Sequence, residues 1–592
     1  MENFNFLDSS NIGKEYNGFL LLKIDDIVDY EAKGVFLRHK RTGMEVYHII
    51  KNDKENLFAF AFRTISKDSK GTAHIMEHST LCGSEKYPLK EPFNTLAGQS
   101  LNTFLNAMTY PDKTVYPAAS VVKNDYFNMM DVYADSVFFP KLDKITFEQE
   151  GHRLELDEKG DLSIQGVVYN EMKGNFSSFN DVAFREVISS MYPESYPAYC
   201  SGGDPLNIPE LTYEQFLDFH QRFYNPDNCI LFLYGDIPTS EQLDFLNERY
   251  MSRIEKKYNC TKDVANFDQK TPLIKKEVQD LLKLNMRKES AVIKTYAPQT
   301  GSTGSIVSMS WYSGISDMEK YYLSEVLLGN DSSPLSKLLK DSKLGDDLFC
   351  GNFGQFEQEF FTLGLIGVKK EKEQKVYDLI KKSIFAIYND GIDKKDIDSA
   401  VMGIDFALRE ENRYWGPVSI QIMEKALKGW TIGKTCSNQL TPITSFEHIK
   451  QKIKEDPEYT KNLIKKYFID NQTVIKFVAE PSSKYFENRN QIEEKNLQKL
   501  SANVNKDELK KQLNELHEYQ QKTETQEELA CIPRTKKSEL DGKIDIPQIK
   551  LELTEGFDKS EVPLFVSEEE TNGIFYVDIL YPFDRLHPSY YK

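Results

Sequence analysis

Two histidines four residues apart, with a glutamate beside the second, make His74-Ile75-Met76-Glu77-His78 the most constraining stretch of this 592-residue chain. On an α-helix, positions four apart lie one turn above each other on the same face. A helix here lets His74 and His78 hold one metal ion from the same side. Glu77 projects near that face, within reach of a metal-bound water. The flanking sequence agrees with a strand-then-helix order: an aromatic and alanine-rich strand over 57–62, Thr72 placed to cap the helix, and Gly83 as a stop after Cys82.

Around that helix the pattern alternates between strand and helix. Strands are expected at 35–37 and 44–50 about the turn Arg41-Thr42-Gly43. Another is expected at 102–110, with a turn at Pro111-Asp112-Lys113 and a return through Val115 and Tyr116. Helical stretches at about 121–137, 166–191 and 212–224 precede a short apolar strand at 229–234. A polar, Lys-rich stretch over 252–290 reads as a connector. A second unit then opens with a strand at 305–311, continues through 320–329, 376–388 and 394–411, and ends near Phe477-Val478. Residues 494–528 carry Leu497, Leu500, Leu509, Leu513 and Leu516 at helical spacings among charges, which predicts a solvated helical hairpin joining units. Residues 562–580 repeat the strand, polar turn and aromatic strand of the opening. So short a piece cannot bury a core alone, and the expectation is the front part of a longer protein or a fold finished by another chain. The units are placed at 1–262, 285–498 and 546–592 (apparently incomplete), joined by a connector at 263–284 and a charged helical linker at 499–545.

Length alone calls for several domains, and 40% hydrophobic with 28% charged residues is ordinary globular composition. A net charge of -18 argues against a nucleic-acid partner. No run approaches the ~18 apolar residues of a membrane helix, so no membrane partner is expected. The seven cysteines are dispersed, with no C-x-x-C pair, and read as free thiols of a reducing compartment. The N-terminus has neither signal-peptide nor transit-peptide character, and a cytoplasmic location is expected. Trp311, Trp415 and Trp430 read as packing residues, and Cys82 as a structural thiol.

Zinc hydrolases usually use three protein ligands and one open position. The other histidines of the nine show no paired spacing. Glu171, in Val167-Val168-Tyr169-Asn170-Glu171-Met172-Lys173-Gly174, is the best third candidate; Glu148, Glu150 and Glu155 are rivals on sequence alone.

His74 to His78 follows the H-x-x-E-H order, the reverse of H-E-x-x-H. Together with Leu105-Asn106-Ala107-Met108-Thr109, the Phe147-Glu148-Gln149-Glu150-Gly151 run, the stretch around Glu171, Leu327-Leu328-Gly329 with Ser332-Ser333-Pro334-Leu335, and the charged linker before Ile532-Pro533, it resembles the pitrilysin family of inverted-motif zinc peptidases, in its presequence protease and falcilysin branch. The resemblance covers nearly the whole chain. It implies an α+β fold, with two homologous units of antiparallel sheet packed by helices on one side, the second unit non-catalytic. It implies one zinc ion per chain held by His74, His78 and Glu171, with Glu77 as the base that activates a zinc-bound water. Asn106, Ala107 and Thr109 would then lie on an edge strand that binds substrate main chain. The expected partners are unstructured peptides degraded in an enclosed chamber, and the C-terminal half of the same protein or a complementary chain. In the family that half supplies an arginine and a tyrosine to the transition state, which here would lie past Lys592. The alternatives are a non-catalytic structural subunit of the same fold, a fragment inactive without its other half, or, more distantly, an unrelated metal-dependent hydrolase of small molecules.

Overall fold

A computed structural model describes residues 4–157, 159–264, 270–301, 304–312, 314–353, 359–414, 416–471, 473–502, 504–540, 542–543, 546–555, 561–580, 587 and 589. Trp415 lies outside them. Two larger sheets organise the chain. The first uses β1 (Glu15–Tyr16), β2 (Phe19–Ile27), β3 (Ala32–His39), β4 (Glu45–Ile50), β5 (Asn56–Phe62), β6 (Asn102–Leu105), β7 (Met108–Thr109) and β8 (Thr114–Ser120). After a separate hairpin of β9 (Arg153–Leu156) and β10 (Leu162–Gln165), it is completed by β11 (Cys229–Gly235). The spatial order is β1-β2-β3-β4-β11-β5-β8-β6, with β7 also on β8. All pairings are antiparallel except β4 with β11.

The second sheet takes β12 (Ala291–Pro298), β13 (Ser305–Tyr312), β14 (Asp347–Leu348), β15 (Gly351–Phe353), β16 (Phe360–Val368) and β17 (Val474–Ser482) in the order β12-β17-β13-β16-β14, with β15 on β16. Its pattern repeats that of the first sheet. The single parallel pair (β12 with β17) stands where β4 and β11 stand, and two short strands close the far edge.

β5 shows how the first sheet is used on both faces. Every residue of Asn-Leu-Phe-Ala-Phe-Ala-Phe is buried. Phe58, Phe60 and Phe62 face the layer that holds α1 (Thr72–Thr80), α2 (Pro92–Gln99) and α3 (Lys123–Phe138). Leu57, Ala59 and Ala61 face a helix from much later in the chain, Val418–Thr431, through Met423, Ala426, Leu427 and Trp430. Period-two alternation puts the large rings on one side and the small alanines on the other, where a helix must approach closely. The first sheet's own helices therefore lie on one side, as expected, and the region after the second sheet's first strands supplies the cover for the other. A buried polar knot ties the two together. Glu45 accepts from Arg38 Nη2 (2.9 Å), the Leu273 amide (2.8 Å) and Trp430 Nε1 (2.7 Å).

Several sequence expectations are corrected. Gly71, not Thr72, occupies the N-cap of α1, in the left-handed region at φ +68°, and α1 ends at Thr80 rather than Cys82. A Cβ at Gly71 would meet the Gly202 carbonyl oxygen at 2.8 Å, so the close crossing of another loop selects glycine here. The helix expected over 166–191 is two, α5 (Val167–Asn175) after α4 (Lys144–Glu150), and α6 (Phe179–Met191), whose N-terminus Ser178 caps. The strand expected over 102–110 is interrupted at Asn106-Ala107. The linker helices Tyr485–Ser501 and Lys506–Gln521 start earlier than the expected boundary at 499, and their leucine face is not solvated: Leu509, Leu513 and Leu516 are buried. Of 562–580, only Glu561–Ser567 is a strand (β19); it pairs with β18 (Ile549–Glu555) rather than with the aromatic stretch after the turn. Trp311 and Trp430 are buried, and all seven cysteines are free thiols. Among the described residues, no helix is long and apolar enough to cross a membrane.

Candidate metal centre

α1 buries Ala73, Ile75 and Met76 in the first core, which turns His74 and His78 toward the opposite side. Their rings meet edge to face, with centroids 4.8 Å apart and planes at 86°. α5 buries Val168, Tyr169 and Met172 and presents Glu171 from its other face. Glu171 Oε2 lies 3.7 Å from His74 Nε2 and 3.9 Å from His78 Nε2. The three donor atoms lie within 4.8 Å of one another, a grouping of His, Cys, Asp or Glu that could hold a metal ion.

Both histidines are oriented from behind. His74 Nδ1 faces the Gly202 carbonyl oxygen at 3.2 Å, and His78 Nδ1 faces Glu150 Oε2 at 3.1 Å. Donation from Nδ1 leaves each Nε2 lone pair free toward Glu171, the usual arrangement of a ligating imidazole. Two imidazole nitrogens and a carboxylate oxygen suit zinc. Tetrahedral coordination with bonds of about 2.1 Å spaces ligand atoms at about 3.4 Å, so the set needs only modest contraction to fit.

The rival carboxylates have other work. Glu150 sits on the Nδ1 side of His78 and also accepts from Gln149 Nε2 (2.8 Å). Burial pushes its carboxyl up, but the hydrogen bonds from His78 and Gln149 outweigh that and hold it below the usual range. Burial would depress His78, yet Glu150, Glu77 and Glu171 together raise it above an ordinary imidazole. Glu148 pairs with Lys144 at 3.2 Å, and Glu155 with Arg153 at 2.8 Å.

Glu77 is 7% exposed, and its Oε2 accepts a 2.5 Å hydrogen bond from Thr109 Oγ1. Burial holds its carboxyl above the ordinary value, against the pull of Thr109 and the two histidines. Thr109 closes β7, at the edge of the first sheet. Asn106 is exposed in the break between β6 and β7. Its amide donates to the Pro117 carbonyl (3.2 Å), keeping register with β8, and its carbonyl accepts from Tyr133 Oη (3.0 Å). Ala107 is half-buried beside it. His74, Glu77, His78, Asn106, Ala107, Thr109 and Glu171 all border one open cleft of about 710 Å³, whose far wall includes Phe184, Arg185, Tyr199 and Cys200.

The roles of Glu150 and Gly202 were not legible from spacing. Gly202-Gly203 is the signal that could have pointed to the second. A Cβ at Gly202 would stand 2.9 Å from Met172 Sδ and 3.7 Å from His74 Nδ1, so only glycine lets this carbonyl reach the histidine. The helix that follows β13 in the second sheet, Asp317–Leu328, holds the place of α1 in the repeated pattern and contains no histidine.

Three family models match along the chain. They are Insulinase (Peptidase family M16) over residues 63–175, Peptidase M16 inactive domain over 210–404, and the domain associated with subfamily C of the same peptidase family over 480–592. Similar curated proteins include an uncharacterized protein of Borreliella burgdorferi, 34% identical over 97% of this chain and 58% of its own length. Presequence protease 1, chloroplastic/mitochondrial, of Arabidopsis thaliana is 32% identical over 96% of this chain and 52% of its own. The mitochondrial presequence protease of Xenopus laevis is 29% identical over 95% and 54%. The chain thus spans about half the length of the curated relatives it matches. A Helicobacter pylori protease structure shares the fold, with a TM-score of 0.57 at 17% identity, over 76% of this chain and all of that one. The motif helix, the repeated α+β units and these matches agree: the chain belongs to peptidase family M16, the pitrilysin family, in its presequence protease branch.

Proposed function

We propose that this chain is the zinc-binding half of a metalloendopeptidase that degrades unstructured oligopeptides, with residues 1–262 as the catalytic unit and 285–498 as a non-catalytic one. The observation that carries the reading is the convergence of His74 Nε2, His78 Nε2 and the Glu171 carboxylate beside a buried Glu77 and a sheet edge, in one cleft. One zinc ion held by His74, His78 and Glu171 supplies a Lewis acid for the scissile carbonyl and a nucleophile at neutral pH. Glu77 is the proton carrier: its carboxylate takes a proton as attack begins and returns it to the departing amine. Thr109 fixes the rotamer of Glu77, and the high pKa that burial confers suits a group that must both accept and give up a proton.

Asn106, Ala107 and Thr109 bind the substrate main chain. β6 and β7 end the sheet, with no strand on their outer side among the described residues. An extended peptide added there is held through its backbone, with little demand on side chains. Folded proteins do not offer such a strand. Full rate requires the C-terminal half or a complementary chain, which supplies oxyanion stabilisation; losing one such donor costs about 10²–10³ in rate.

The test compares this chain with and without the C-terminal half of a full-length relative, each as parent and as Glu77→Gln. Zinc content and hydrolysis of a quenched unstructured peptide are measured. About one zinc per chain is expected throughout, with hydrolysis strongest in the complemented parent and lost with Gln at 77. Sub-stoichiometric zinc, or full hydrolysis by the Gln variant, refutes the reading.

A further inference from the structure

The linker helix Tyr485–Ser501 makes contacts that a spacer does not need. Arg489, Glu493 and Asn496 follow each other at intervals of four and three along it and form one stripe. Glu493 accepts from Tyr169 Oη (2.8 Å) and from Lys173 Nζ (2.9 and 3.2 Å). Tyr169 and Lys173 are themselves four apart on α5, so they share a face. Glu171 lies midway, about 200° around the helix from either at ~100° per residue. The linker therefore grips the back of α5 while Glu171 projects from its front into the cleft.

One turn earlier, Arg489 Nη2 donates to Asp204 Oδ1 (2.5 Å), and its guanidinium stacks over Phe176, the C-cap residue of α5, at 4.5 Å. Asp204 closes the loop whose Gly202 carbonyl faces His74 Nδ1, and its own amide is tied to Ser69 just before α1. Asn496 Nδ2 adds a bond to the Leu206 carbonyl (2.9 Å). One stripe of side chains thus holds both segments that decide the metal geometry, the helix of Glu171 and the loop behind His74. The Arg489–Asp204 pair is about four-fifths buried on both sides, so it is not a screened surface pair.

We propose that Arg489 and Glu493 are positioning residues for the metal centre, so that zinc affinity in the catalytic unit depends on how the linker helix is seated. The proposal rests on the zinc reading above. Orienting partners of metal ligands typically change affinity 10–100-fold when removed, whereas ion pairs that only fasten a surface helix are worth ~0–1 kcal/mol and leave affinity alone.

The test is zinc affinity of the full chain by competition with a chromophoric chelator, with melting of the metal-free protein recorded alongside. Glu493→Ala and Arg489→Ala are each expected to weaken zinc 10–100-fold, with little change in apo melting. Glu493→Gln keeps an acceptor for Tyr169 and Lys173 and should recover most of the loss. Lys511→Ala, on the other linker helix and paired only along it with Glu515, should match the parent. If Glu493→Ala does not fold, Lys173→Met removes one arm of the same contact and carries the measurement. Affinity within twofold of the parent in both alanine variants, while His74→Ala abolishes binding, overturns the proposal and leaves the zinc reading standing. A parent whose zinc binding His74→Ala does not affect overturns both. A fall in melting temperature with zinc affinity kept marks Arg489 and Glu493 as fasteners and also overturns it.

Discussion

Replacing Glu150 and Glu171 separately divides the two carboxylates by role. Glu171 faces the two Nε2 atoms at 3.7 and 3.9 Å, while Glu150 meets His78 from the Nδ1 side at 3.1 Å. If structural zinc binding of ~10–16 kcal/mol is shared over four ligands, each is worth about 3–4 kcal/mol, or about 10²–10³-fold in affinity. Glu171→Ala should lose at least that much. Glu150→Ala removes one charge-assisted hydrogen bond, worth about 1.5–3 kcal/mol, and should weaken zinc by about 10–100-fold. Glu150→Gln keeps an acceptor for Nδ1–H and should fall between Glu150→Ala and the parent. Chelator competition at pH 7 reads all four proteins on one scale. Equal losses for Glu150→Ala and Glu171→Ala, or a larger loss for Glu150→Ala, would refute the assignment of Glu171 as ligand and Glu150 as its neighbour's anchor.

Further outcomes follow from other contacts. Thr109→Val leaves a buried oxygen of Glu77 without its donor, a cost of about 1.5–3 kcal/mol. Peptide hydrolysis by the complemented protein should fall about 10–100-fold at unchanged zinc content, and Thr109→Ser should restore it. Glu45→Gln strips the charge that balances fully buried Arg38 and should cost about 3–5 kcal/mol in urea unfolding of the first unit, without altering zinc stoichiometry measured before unfolding. Burial pulls His220 and His48 down to about 3 and His39 to about 4. Each is neutral when folded and takes up a proton on unfolding below about pH 6.5. Their contribution is therefore fully present above that value and is lost as pH falls toward 4, at about 1.4 kcal/mol per pH unit each. His220→Gln should flatten the acid limb of stability by that slope, read from urea midpoints between pH 4.5 and 6.5.

Local features were legible in the sequence because they depend on neighbours along the chain. The spacing of His74 and His78 needs only a helical turn to bring two imidazoles to one side. The alternation in β5 needs only a pleat, and the strand at Asn102–Leu105 only its turn at Pro111-Asp112-Lys113. The choice among four carboxylates was not legible from spacing. Glu150 and Glu171 both approach His78, and which nitrogen each meets is set by how α4 and α5 pack against α1, over separations that no local pattern encodes. The same holds for Gly71, whose left-handed turn answers a loop more than a hundred residues away.

Tertiary structure also reversed the meaning of the charged linker. Its leucines repeat at helical spacing, which established that helices form there, but composition made them look solvated. In the fold they are buried, and the opposing stripe of Arg489 and Glu493 reaches the metal-binding segments. By itself the sequence determined the chemistry available: two histidines and a carboxylate on a helix, more carboxylates nearby, and alternating strands that must be covered. Only the tertiary structure decided which atoms converge, that a helix beyond residue 417 covers the second face of the first sheet, and that the linker braces the site. The physical reason is range. Periodicity and capping act over one or two turns, whereas convergence on a metal is settled by side-chain packing between elements far apart in the chain.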